Sequence, residues 1–95
     1  MLIDSERMAK RLFLFGRGSA VERLAYFLIE ISERYSAGAR LELPMTRTDI
    51  GDYLGLSSET VSRAFTTLRE HGLVSIEGHT VFLLNVRALR VLAGD

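Results

Sequence analysis

Between Thr46 and Gly72, two stretches of helical periodicity are separated only by Gly55-Leu56-Ser57, and no other feature of the chain narrows its fold as much. Two helices joined by so short a turn containing glycine form a helix-turn-helix, in which the second helix crosses the first steeply. Thr46-Arg47-Thr48-Asp49 has the form of a capping box, the threonine hydroxyl covering a free amide while the acid reaches back. The helix it opens runs to about Leu54, because Gly55 suits the left-handed conformation that follows a helix. Ser57 can cap the next helix, which continues to His71 and closes at Gly72. Ile50 and Leu54 face inward from the first helix, Leu56 plugs the turn, and Val61, Ala64, Phe65 and Leu68 face inward from the second. Gly51 falls where a side chain would hold the two helices apart.

The flanks supply what such a pair needs to become a domain. Ser19-Ala20-Val21-Glu22 is another capping box, and Val21, Leu24, Ala25, Leu28, Ile31 and Tyr35 follow it at helical spacing. Glu22, Arg23, Glu30, Glu33 and Arg34 fall elsewhere on that helix. Leu41 and Leu43 lie on one face of a short strand that Pro44 stops. "LVSIE-GH-TVFLL" reads as a hairpin with a two-residue Gly-His turn, and Asn85 is placed to cap a last short helix through Val86, Leu89, Val91 and Leu92. The expected fold is mainly α with a small antiparallel sheet, a winged helix-turn-helix built from the hairpin and the strand near Leu41. Tyr26, Phe27, Phe65 and Phe82 are expected in its core.

Ahead of this lies "MLIDSERMAKRLFLFGRGS". Met1, Met8, Leu12 and Phe15 fall roughly on one helical face, interrupted by Ser5, with no partner helix nearby in sequence. The stretch reads as the end of a longer helix or half of a dimer contact, with the glycines of "FGRGS" as a hinge. "GRGS" lacks the preceding strand and the following Gly-Lys-Ser/Thr of a phosphate loop. Arg7, Lys10, Arg11 and Arg17 fit a solvated helix face.

Composition removes several classes of function. The chain has 95 residues, enough for one small domain, and 47% are hydrophobic. It has no cysteine, and its two histidines, His71 and His79, stand apart, so no disulfide or metal site is expected. No nucleophile–base pair or carboxylate cluster supports catalysis, and no cofactor is expected. The N-terminus lacks the unbroken apolar run of a signal peptide, and no stretch approaches a membrane span, so the expected setting is cytoplasmic. Net charge is zero. A nucleic-acid binder usually has a basic footprint, so such a role here rests on a few well-placed charges.

At about 100° per residue, Ser58, Glu59, Ser62, Arg63 and Thr66 share the face of the second helix opposite Val61, Ala64, Phe65 and Leu68. In helix-turn-helix proteins the first turns of that helix meet base edges in the major groove. Arg63 can fork onto guanine O6 and N7, Glu59 can accept from a cytosine amino group, and the serines can do either. An equally simple reading is a surface helix carrying an i,i+4 Glu59–Arg63 ion pair, which stabilises a helix by about 0.2–0.5 kcal/mol. Thr46, Arg47, Ser57, Thr60 and Thr66 are candidates for contacts to the DNA backbone, as is His79 at the hairpin tip, where an idle turn residue serves equally well.

The segment "MTRTDIGDYLGLSSETVSRAFTTLREHGLV" resembles the DNA-binding domain of the Crp/Fnr family of bacterial transcription regulators, and its "ETVSR" is nearer the Fnr/FixK branch. The resemblance covers roughly residues 13–94 and is most specific over 46–72. It implies a winged helix, homodimeric binding to a palindromic promoter site, and RNA polymerase as a further partner. In that branch, residues matching Glu59, Ser62 and Arg63 read a TTGA-type half-site, with Arg63 on the guanine, Glu59 on the opposite strand and Ser62 on a thymine. It also implies that residues 1–18 are the end of a dimerisation helix and hinge, with Met8, Leu12 and Phe15 as contacts, and that residues 19–95 form the DNA-binding domain. The dimer is expected to be weak without DNA. A family sensor domain has no counterpart in these residues, so no effector site is assigned. A competing reading is a winged-helix interaction module that dimerises with related regulators and modulates them, which the neutral charge favours. The outward Ser58, Glu59, Ser62 and Arg63 favour DNA, because protein interfaces more often present aromatic anchors.

Overall fold

The computed structural model describes residues 18–35 and 38–94. Helix α1 spans Ala20–Arg34, strand β1 Arg40–Glu42, helix α2 Arg47–Leu54, helix α3 Ser58–Glu70, strands β2 and β3 Val74–Glu77 and Thr80–Leu83, and helix α4 Val86–Leu92. The expected dimerisation helix, with Met8, Leu12 and Phe15, lies outside the described residues, as does the expected hinge up to Arg17.

Each helix begins where a short polar side chain can take up a free amide. Ser19 accepts from the Glu22 amide at 3.1 Å while Glu22 accepts the Ser19 amide at 2.8 Å. Thr46 and Asp49 repeat the arrangement with both bonds at 3.1 Å. Ser57 opens α3 and Asn85 opens α4, by accepting from the Thr60 and Ala88 amides respectively. The Ser19 contacts hold the Glu22 carboxyl below the usual carboxylate range. All four sequence-level caps are present.

The sheet has three antiparallel strands in the order β1-β3-β2. Glu77 faces Thr80 across the Gly78-His79 turn, which sets the hairpin register, and Leu41 faces Val81 on the other side of β3. Leu41, Leu43, Val74, Val81 and Leu83 thereby point into the core, against Leu24, Leu28, Ile50, Leu54, Val61, Phe65, Leu68 and Leu89. Phe82 is only half-buried. Helix α1 runs behind the motif and packs on α3 and α4.

Three side chains depart from the periodic reading. Glu30, expected on the polar face of α1, is buried and accepts a 2.8 Å hydrogen bond from the Tyr53 hydroxyl. Arg34, one turn on, lies 3.8 Å from the same carboxylate. Tyr35 and Val91, expected on apolar faces, are exposed. Tyr35 is already the C-cap of α1, and Val91, two residues past the buried Leu89, falls about 200° round α4 on the opposite side.

The turn between α2 and α3 is the tightest point of the chain. Gly55 has φ 72°, a left-handed value that ends α2. The Gly51 carbonyl receives the amides of both Gly55 and Leu56, the latter at 2.8 Å. A Cβ on Gly51 would lie 2.3 Å from the Leu56 carbonyl oxygen, so the obstacle is the backbone of the turn and not the second helix. In a free helix, alanine is preferred to glycine by about 1 kcal/mol. Here Gly51→Ala should reverse that sign and destabilise the fold by about 1–3 kcal/mol through overpacking. Asp52→Ala, at the next and exposed position, should be neutral or slightly stabilising; thermal melts of both variants test the comparison.

Candidate nucleic-acid interface

Because Val61, Ala64, Phe65 and Leu68 are buried, the opposite face of α3 is fixed outward. Ser58, Glu59, Ser62 and Arg63 are all exposed there, within the first two turns. Packing behind the helix thus presents, on one rigid surface, the four residues read from sequence as base contacts. The Arg63 guanidinium is hydrogen-bonded to the Glu59 carboxylate one turn back. Both side chains are largely exposed, 76% and 72%, so water screens the pair and either partner can turn to a competing group.

The hydroxyls around this face are already used within the protein. Ser57 donates to Thr60 Oγ1 at 2.9 Å and caps the helix. Thr66 donates to the Ser62 carbonyl at 3.1 Å and Thr67 to the Arg63 carbonyl at 3.1 Å. The caps cover one amide each. At a helix start the amides of the preceding first-turn residues, here Ser58 and Glu59 in α3 and Arg47 and Thr48 in α2, have no intrahelical acceptor. Together with the positive end of the helix dipole they suit an anionic oxygen.

Arg47 and His79 have roles that sequence did not reveal. The Arg47 guanidinium lies 4.0 Å from the centre of the Phe65 ring, joining the start of α2 to the middle of α3. Partial burial lowers its pKa, yet a guanidinium stays charged in any neutral solution. The His79 carbonyl accepts the Leu43 amide at 2.8 Å, which ties the hairpin tip to the chain entering α2, while its ring remains exposed.

Two further ties come from α1. Arg23 Nη1 donates to the Leu54 carbonyl at 3.2 Å, and Glu30 receives the Tyr53 hydroxyl. These partners are 31 and 23 residues apart in sequence, so periodicity carries no trace of them. Helix α2 has no basic residue in its last turn, which leaves that end open to a cation supplied by another element.

Among the described residues no group of acidic and histidine side chains could hold a metal ion, and no helix is long and apolar enough to cross a membrane.

The fold is shared with known proteins. Residues 22–92 match the Crp-like helix-turn-helix domain. The chain is 46% identical over 92 residues to the nitrogen fixation regulation protein FixK of Rhizobium meliloti, covering 96% of this chain and 44% of that protein. It is 45% identical over 95 residues to the transcriptional activator protein FnrA of Stutzerimonas stutzeri, covering 96% of this chain and 38% of that protein. The structure of FixK2 from Bradyrhizobium japonicum superposes with a TM-score of 0.81 at 42% identity, over 90% of this chain and 43% of that one. The chain therefore spans less than half the length of these relatives. With its capped helices, three-residue turn and three-stranded wing, it belongs to the Crp/Fnr family as a Crp-like helix-turn-helix domain.

Proposed function

We propose that this chain binds double-stranded DNA sequence-specifically and regulates transcription, inserting the first two turns of α3 into the major groove of a TTGA-type half-site. The observation that carries the reading is the exposed set Ser58, Glu59, Ser62 and Arg63 on a helix whose other side is locked in the core. Arg63 supplies the bidentate donor for guanine, Glu59 accepts from the opposite strand, and Ser58 and Ser62 contact neighbouring base edges. Thr46, Arg47, Ser57, Thr60, Thr66 and His79 line the backbone, where helix-start amides and the Arg47 cation meet phosphates. The description of FnrA as a transcriptional activator and of FixK as a regulation protein supports a role at promoters. A gel-shift titration with a TTGA palindrome and a scrambled duplex tests the reading directly.

The free-state Glu59–Arg63 pair separates binding from folding. Arg63→Ala should change stability by no more than about 0.5 kcal/mol, because an exposed i,i+4 pair contributes little. The same substitution should remove about 1–3 kcal/mol of discrimination for the guanine position. A variant that melts like the parent and still prefers guanine equally would rule out Arg63 as the guanine reader.

With helix-start amides replacing lysines at the backbone, few counterions are released on binding. If Arg47 neutralises a phosphate in each subunit and Arg63, within the groove, displaces at most one further counterion, log Kobs should fall with log salt at a slope no steeper than about −4, at about 0.9 per phosphate neutralised. A titration giving a slope near −10 would require a basic surface outside this face.

Pairing on DNA is assigned to residues 1–18, with Met8, Leu12 and Phe15 as the dimer contacts. Three apolar side chains per subunit bury little surface, so pairing through them is expected to be weak without DNA. The free protein should sediment as a monomer or weak dimer and assemble cooperatively on a palindrome with half-sites about 34 Å apart. Inserting about five base pairs turns the half-sites to opposite faces and should abolish the cooperative gain; equal affinity at every spacing would exclude a dimer of this kind.

A further inference from the structure

The C-terminal end of α2 is held against α1 at two polar points. Arg23 donates to the carbonyl of Leu54, the last residue of α2, and Tyr53 donates to the buried carboxylate of Glu30. Arg23 and Glu30 are seven residues apart, close to two turns of one helix, so α1 grips two consecutive residues of α2 from two levels. The gripped residues immediately precede Gly55, from which the chain turns into α3. The Gly51 carbonyl is already shared by the amides of Gly55 and Leu56, and α2 has no basic residue in its last turn. A cation at that end both satisfies a carbonyl and opposes the negative pole of the helix. Arg23 supplies it from across the domain, and its Nη1 would lie 3.7 Å from a Cβ on Gly55, close against the turn itself.

We propose that Arg23 is a positioning residue for base recognition, fixing through the Leu54 carbonyl the direction in which α3 leaves the turn. The consequence for recognition rests on the DNA reading proposed above; the mechanical consequence does not. A base-edge hydrogen bond tolerates little displacement, whereas phosphate contacts through flexible side chains tolerate more. Loosening the turn should therefore reduce discrimination between sites before it reduces general affinity for DNA.

Arg23→Met keeps the aliphatic stem and removes the donors, and Arg23→Lys restores a cation that can reach a carbonyl. In the protein without DNA, hydrogen exchange followed by NMR should show the Gly55 and Leu56 amides exchanging roughly five- to tenfold faster in Arg23→Met, with amides of the α3 core such as Phe65 and Leu68 unchanged. Arg23→Lys should recover most of the protection. On DNA, the affinity ratio between a TTGA palindrome and one with its guanine replaced should fall at least roughly fivefold in Arg23→Met, while binding to scrambled duplex stays the same. Uniformly faster exchange, or unchanged exchange at Gly55 and Leu56, overturns the positioning role. So does an unaltered affinity ratio in a parent that discriminates. A parent that does not discriminate between the sites refutes the DNA reading instead, and the exchange measurement still decides for or against Arg23.

Discussion

The close approach of Gly51 to the turn is the constraint on which the rest of this domain depends. Its carbonyl takes two amides from the turn while its missing side chain leaves room for the Leu56 carbonyl. The turn can then be three residues long, and a turn that short confines α3 to a narrow range of directions. From that direction follows the pairing of Ile50 and Leu54 with Val61, Ala64 and Phe65 in one core. The same packing leaves Ser58, Glu59, Ser62 and Arg63 outside.

An overall neutral chain can still present a surface suited to an anion because its polarity is organised by backbone geometry. The starts of α2 and α3 are both capped by hydroxyls, and each cap satisfies one amide while leaving others pointing out of the helix end. Short capping side chains also keep the surface low, so a helix can approach a groove closely. Arg47 adds charge without mobility, since its guanidinium is seated over the Phe65 ring. Arg63 adds charge with mobility, being largely exposed and paired with the equally exposed Glu59.

Helix α1 does more than cover the core. Its apolar residues, Leu24, Ala25, Phe27, Leu28 and Ile29, are buried, while Arg23 and Glu30 reach sideways to the last two residues of α2. Phe27 also packs at 5.6 Å against the Tyr53 ring. A buried carboxylate is tolerable because the Tyr53 hydroxyl meets it and Arg34 lies near. Apolar burial fixes how far apart α1 and α2 sit, and these directional contacts fix how they are rotated.

Near neighbours along the chain govern the four caps, the left-handed Gly55, the Gly-His hairpin turn, the buried faces of α2 and α3, and the outward polar set on α3, and all of these are legible in residue order. Those features depend on residues within about one helical turn or across one tight turn, so spacing alone encodes them. Long-range packing, by contrast, buries Glu30, brings Arg23 to a carbonyl 31 residues away, and lays Arg47 over Phe65. It also left Val91 and Tyr35 exposed at positions whose periodicity favoured burial. Periodicity tells which side of a helix is apolar, but a charged side chain at the edge of that side is placed by what another element brings to meet it. That meeting is fixed by the three-dimensional packing of α1 on the turn.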